Sequence, residues 1–147
     1  MNLISGVIFG TSNIQHFTKE LGQMFNELNL NVKLELTFTL DQLKAKINNN
    51  YSEFDFGIFH VLGNDARAIA KAWMSPVAKQ SKAIEVAKNF IDLVLDFSQR
   101  NPNKEIFVST LLQRFDGPCK EYLQKVINQE IKNAFQNQVH TDTRSQQ

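Results

Sequence analysis

Leu3-Ile-Ser-Gly-Val-Ile-Phe9, followed by Gly10-Thr-Ser-Asn13, is the stretch that decides the fold of this 147-residue chain. A short apolar run that is partly β-branched and closed by glycine is typical of a buried strand in a parallel sheet. The polar residues after Gly10 can cap a helix, and apolar residues recur every three or four positions from Ile14 to Leu28. The sequence therefore begins with a strand, a tight turn and an amphipathic helix.

The same alternation continues along the chain. Besides residues 3–9, the predicted strands are 32–38, 54–62 and 106–112. Further helices are predicted over residues 40–47, 66–73, 81–100 and 118–135, with an interruption at Ser75-Pro76. Strands that alternate with helices pair in parallel through right-handed crossovers. We therefore predict a three-layer α/β/α sandwich with a mostly parallel sheet of four or five strands.

The length fits one domain, which we place at residues 1–135. The polar segment 136–147 is rich in Gln and Thr, and we predict that it is disordered.

Composition excludes several classes of protein. The formal net charge is +1, which gives no whole-molecule field for nucleic acid, although a local basic patch stays open. Cys119 is the only cysteine, which excludes a disulfide framework and a thiolate metal cluster within the chain. A glycine-rich phosphate loop is absent, and we expect no metal and no cofactor. Without a signal-peptide pattern or a long apolar run, we expect a soluble cytoplasmic protein with no membrane partner, and a nuclear location stays open.

Polar residues follow the ends of the predicted strands, where open parallel sheets bind their ligands. The candidate binding residues are Thr11, Asn13, Gly63, Asp65, Arg114 and Asp116. Arg114 and Asp116 have other uses that the sequence leaves open, since they can pair with each other or lie in solvent.

Three of these strand ends resemble the conserved blocks of SGNH hydrolases, the GDSL esterase and lipase superfamily. Val7-Ile-Phe-Gly-Thr-Ser-Asn-Ile14 is similar to the first block, an apolar strand followed by Gly-Asp-Ser-Asn with a nucleophilic serine. Phe59-His-Val-Leu-Gly-Asn-Asp65 is similar to the third block, Gly-x-Asn-Asp, whose asparagine donates to the oxyanion. Val108-Ser-Thr-Leu-Leu-Gln-Arg-Phe-Asp116 resembles the Pro-Arg-x-Asp turn of short domains in invertebrate genomes and some retrotransposons. The resemblance implies the SGNH or flavodoxin-like strand order 2-1-3-4, with Ser12 as nucleophile and Asn64 as oxyanion donor.

Departures from this pattern imply a catalytically degenerate domain. Thr11 replaces the aspartate of the first block, and Leu62 aligns with the glycine of the third. No glycine lies between Gly22 and Gly57, so the second-block glycine has no counterpart. The terminal Asp-x-x-His block is also absent, since His140 is followed by Thr-Asp-Thr143. A serine without a general base is a poor nucleophile at neutral pH.

Two hypotheses follow for function. The first is a non-catalytic SGNH-like module, an intracellular pseudoenzyme that binds a protein or an RNA. The alternative is a serine esterase in which Ser12 attacks a small acyl ester, Asn64 holds the oxyanion, and His16 or His140 is the base. Ser12 is equally placed to act as a helix cap, and Asn64 to form a turn beside Gly63. We expect His60, within an apolar strand, to be buried and hydrogen-bonded.

Overall fold

The structure is a computed structural model that describes residues 4–11, 22, 24, 26–110 and 118–143, with side chains except at 118–121 and 136–143. The described strands are all parallel and lie in the order β2-β1-β3-β4. This arrangement confirms the predicted fold class and strand order. The strands are β1 (Ile4–Gly10), β2 (Leu30–Leu36), β3 (Phe56–His60) and β4 (Glu105–Val108).

Four helices follow β2 in the described residues. They are α1 (Leu40–Lys46), α2 (Gly63–Lys71), α3 (Pro76–Arg100) and α4 (Pro118–Thr143). We predicted that α3 begins at residue 81, but it begins at Pro76, because proline is favourable in a first helical turn. Ser75 caps it by accepting a hydrogen bond of 3.1 Å from the N–H of Ala78.

Helix α4 runs beyond the boundary that we predicted at residue 135. Its backbone is helical as far as Thr143, so it includes eight residues of the segment that we expected to be disordered. The physical reason is that neither glycine nor proline occurs between Cys119 and Thr143 to end the helix. The division into one domain and a tail stays a prediction.

The helices after β2 pack together over one face of the sheet. On this face, the ring of Phe97 in α3 lies 5.6 Å from Phe9 and 5.3 Å from Phe59, and Leu43 of α1 joins the same core. Helices α2 and α4 pack on α3. The crossover from β1 to β2 runs across the sheet in the opposite direction to the other crossovers. A right-handed connection is the rule for such crossovers, so we expect the helical residues 22, 24, 26 and 27 on the second face.

A close approach of two strands requires glycine in β1. Gly6 and Phe56 are register partners, so they share one face of the sheet. A Cβ on Gly6 would lie 2.1 Å from the Phe56 ring. The Phe56 ring can therefore lie over β1 only because Gly6 has no side chain. This close contact joins β1 and β3 below the strand ends that form the candidate site.

Candidate functional site at the carboxyl edge of the sheet

The carboxyl ends of the four strands lie side by side, as the parallel order requires. The N–H of Thr37 after β2 donates to the carbonyl of Gly10 at 2.8 Å, and the N–H of Ser109 after β4 donates to Phe59 at 3.0 Å. Thr11 and Thr37 are both buried at this edge. The hydroxyl of Thr37 has no hydrogen-bond partner among the described residues. Polar groups from strands β1 and β2 are therefore enclosed at the edge that we predicted for ligand binding.

The turn between β2 and α1 uses its backbone N–H groups inside the protein. Besides the bond from Thr37, the N–H of Phe38 donates to Gln42 Oε1 at 2.7 Å. The N–H of Leu40 points to Asp65 Oδ1 at 3.5 Å. Asn64 closes the turn from the other side, since its Nδ2 donates to the carbonyl of Phe38 at 3.1 Å. This turn is thus tied to the start of α2, and few of its donors are left for a ligand.

Leu62 forms the bend between β3 and α2 in a conformation that favours glycine. Its φ of 84° lies in the left-handed region, and its side chain is fully buried. The carbonyl of Leu62 accepts the first helical bond, from the N–H of Ala66 at 2.8 Å. This bend explains why β3 ends at His60 rather than at the predicted residue 62, and it places Asn64 and Asp65 at the carboxyl edge.

Asp65 is an acidic side chain held in a partly buried position. Burial raises the pKa of its carboxyl group, and the negative charge of Asp41 adds to this effect, while the bonds from the backbone N–H groups of Leu40 and Asp65 itself oppose it. Its Oδ2 atom is buried without a partner among the described residues. Among the described residues, the Oδ2 atom of Asp65 is therefore an unpaired acceptor at the start of α2, where the helix dipole favours negative charge.

His60 is hydrogen-bonded, as we expected, but half-buried. Its Nδ1 atom forms a short hydrogen bond with Ser109 Oγ, and that hydroxyl also lies 3.3 Å from the carbonyl of Phe59. Burial lowers the pKa of the imidazole. This pair joins the ends of β3 and β4.

A second polar cluster lies beside the end of β2. The hydroxyl of Tyr51 donates to Glu35 Oε2 at 2.8 Å, and Lys46 Nζ lies 3.7 Å from Glu35 Oε1. Burial and the neighbouring Glu35 carboxylate raise the pKa of Tyr51 far above its ordinary range. An open groove of about 460 Å³ adjoins this cluster. Its lining residues are Leu36, Phe38, Gln42, Ala45, Lys46 and Asn49.

The structure places only some of the candidate site residues. Thr11, Gly63, Asn64 and Asp65 follow the adjacent strands β1 and β3 at the carboxyl edge. Ser12, Asn13, Arg114 and Asp116 lie outside the described residues, as does His16. The sequence reasoning did not anticipate Gln42 and Ser109. We had assigned Ser109 to the interior of a longer fourth strand. The only sequence feature that indicates a contact of Gln42 with the turn is its position four residues after Phe38.

Within the described ranges, no three His, Cys, Asp or Glu side chains come together as metal ligands would. None of the described helices is both long enough and apolar enough to cross a bilayer.

The fold is similar to that of several solved structures whose names describe acylhydrolases, lipases or esterases. A proposed acylhydrolase from Bacteroides fragilis superimposes over 91% of this chain with a TM-score of 0.62 and 15% identity. An acetylxylan esterase from Geobacillus stearothermophilus superimposes over 90% with a TM-score of 0.60 and 15% identity. A GDSL-like lipase from Bacteroides thetaiotaomicron superimposes over 97% with a TM-score of 0.56 and 10% identity. The chain has the SGNH-hydrolase fold.

The likeness at these identities concerns the SGNH-hydrolase fold alone. This chain spans 64% of the acylhydrolase, 73% of the acetylxylan esterase and 64% of the lipase. Its sequence matches no protein-family profile and no curated protein at a significant level. Leu62, which the sequence resemblance aligns with the third-block glycine, has a left-handed backbone of the kind that a glycine adopts easily.

Proposed function

We propose that this chain is a non-catalytic SGNH-like module that binds a protein or RNA partner. In this proposal Ser12 and Asn64 are remnants of a nucleophile and an oxyanion donor. The polar residues of the carboxyl edge would contact the partner. They are Thr11, Asn13, Gly63, Asp65, Arg114 and Asp116.

The observation that best supports this proposal is the internal hydrogen bonding of the turn after β2. In the family pattern this turn supplies a glycine N–H to the oxyanion. Here the N–H groups of Thr37 and Phe38 donate within the protein, and the amide of Asn64 donates to a carbonyl of the same turn. Removal of one oxyanion donor typically lowers the rate by about a hundred- to a thousand-fold. A turn with its donors engaged supports loss of catalysis.

The available histidines also support this proposal. A general base contributes about a hundred- to ten-thousand-fold to such reactions, and the Asp-x-x-His pattern that would supply it is absent from the sequence. The one histidine side chain within the described residues, His60, is bonded through Nδ1 to Ser109. It sits within β3, and its imidazole is engaged with a serine that is not the family nucleophile.

Hydrolysis of p-nitrophenyl acetate and butyrate tests the loss of catalysis. The purified chain is compared with the Ser12→Ala variant, and with Ser81→Ala as a matched control at an exposed serine on α3. We expect all three proteins to hydrolyse both esters at the same rate, close to the rate in buffer.

The alternative is the serine esterase that the SGNH-hydrolase fold suggests, with small acyl esters as substrates. The named activities of the superimposed structures, an acetylxylan esterase and a GDSL-like lipase, favour it. If the wild type exceeds Ser12→Ala at least tenfold while Ser81→Ala keeps full activity, the non-catalytic proposal is wrong. Loss of that excess in His16→Ala or His140→Ala would then identify the base.

A further inference from the structure

Three apolar side chains lie in solvent at the turn between α2 and α3. Trp73 is fully exposed, and Val77 and Met74 are 74% and 38% exposed. We call these three residues the Trp73 tip. Single exposed apolar residues are ordinary, whereas contiguous exposed apolar patches mark interaction sites. Trp73 is also the only tryptophan of the chain.

The Trp73 tip projects beyond the carboxyl edge of the sheet. Helix α3 has 25 residues and is ~37 Å long, whereas the longest strand has seven residues and spans ~24 Å. The last turn of α3 precedes β4, which begins at the amino edge of the sheet. The first turns of α3 therefore extend past the carboxyl edge, on the side where α2 begins. This geometry places the tip in open solvent.

The sequence around the tip is strongly basic. From Ala66 to Ile84 there are four basic residues and no acidic one, while the whole chain has a net charge of only +1. The other 12 basic and 15 acidic residues therefore give the rest of the chain a net charge of −3. The four basic residues are Arg67, Lys71, Lys79 and Lys82.

Two of these lysines have internal contacts that shape the turn. Lys79 Nζ donates to the carbonyl of Ala70 at 2.7 Å, which fixes the end of α2 against the start of α3 and leaves the ammonium charge in place. Lys82 pairs with Glu85 at 3.5 Å, an exposed pair of small energetic value. The tip is thus an apolar projection flanked by basic residues in sequence.

We propose that the Trp73 tip is the docking surface for an acidic protein segment that encloses Trp73 with apolar side chains. This inference rests on the proposed binding function and names the chemistry of the partner. Protein interfaces are enriched in Trp and Met, and Trp anchors often carry a large share of the binding energy. Met74 and Val77 are aliphatic and fit an apolar pocket, whereas a nucleic-acid surface would use flat rings for base stacking. The surrounding basic residues favour acidic partners.

Peptide selection on the full chain tests this proposal. A displayed random-peptide library is selected on the wild type after removal of peptides that bind the Trp73→Ala variant. We expect the enriched peptides to combine Asp or Glu with Leu, Ile or Phe. A synthetic peptide of this kind should shift the Trp73 emission to shorter wavelength and protect it from acrylamide quenching.

Affinity measurements with the same peptide locate the surface. Trp73→Ala should weaken binding about 30-fold or more, as for a strong interface anchor. Lys71→Glu should also weaken peptide binding, and by a larger factor at low salt than at high salt. Leu28→Ala and Lys33→Glu are matched controls, because both residues are exposed and lie on or before β2, away from the tip. Binding to these controls should equal that of the wild type.

Several outcomes would overturn the proposal. Enriched peptides without acidic residues, or equal affinity of Trp73→Ala and the wild type, would contradict it. If poly(U) RNA or phosphatidylserine vesicles shift the Trp73 emission and the acidic peptides do not, the tip is a binding surface for RNA or for lipid instead. Esterase activity that depends on Ser12 would refute only the proposed function and not the docking surface, because the esterase assay does not depend on Trp73 emission.

Discussion

Replacement of Leu62 by alanine and by glycine separates backbone strain from side-chain burial. Truncation of a fully buried leucine costs about 2–5 kcal/mol in either variant. The left-handed backbone at φ 84° costs a non-glycine residue about 1–2 kcal/mol, and only the glycine variant escapes this cost. Glycine loses about 0.5–1 kcal/mol through the entropy of the unfolded chain. We therefore expect Leu62→Gly to be more stable than Leu62→Ala by about 0.5–1 kcal/mol.

Leu43 provides the matched control, because it is fully buried within α1. There alanine should be more stable than glycine by about 0.8–1 kcal/mol, the ordinary helix preference. The order of the two variants is thus expected to reverse between the sites. Urea unfolding followed by far-UV circular dichroism measures all four free energies, since exposed Trp73 is a poor reporter of unfolding. If Leu62→Ala is as stable as Leu62→Gly or more so, the assigned backbone strain is wrong.

Two further predictions concern β1 and β3. Gly6→Ala should lower the free energy of unfolding by about 1–3 kcal/mol, because its Cβ meets the Phe56 ring, and the double variant with Phe56→Leu should recover part of that loss in urea unfolding. Full additivity of the two substitutions would contradict the contact. Burial lowers the pKa of His60 in the folded protein, so the unfolded state takes up the proton first and stability is lost as the pH falls below about 6.5. The stability difference between the wild type and His60→Asn should therefore shrink from pH 7.5 to pH 5, and a constant difference would contradict this assignment.

Most of the fold could be predicted from local patterns. Apolar runs closed by turn residues located the four strands, and their alternation with helices predicted the parallel pairing that the structure has. The errors lie at element ends, where one residue can decide the boundary. Pro76 was interpreted as an interruption but opens α3, and Leu62 ends β3 through a conformation that its side chain disfavours.

The candidate site could be located from the sequence only in outline. Thr11, Asn64 and Asp65 lie at the carboxyl edge because they follow the ends of adjacent strands, which the strand pattern indicates. Their roles as binding residues stay predictions. The partners of these residues, such as Gln42 and the carbonyl of Phe38, follow from no local pattern.

The sequence by itself determined which segments are strands and helices, because apolar periodicity and capping residues act over a few neighbouring positions. The tertiary structure alone decided which polar groups at the carboxyl edge are satisfied. Asn64 donates to Phe38, 26 residues away, and His60 contacts Ser109, 49 residues away. A hydrogen bond depends on the distance and angle between two atoms, and for residues so far apart in sequence these are set only when the strands pack side by side.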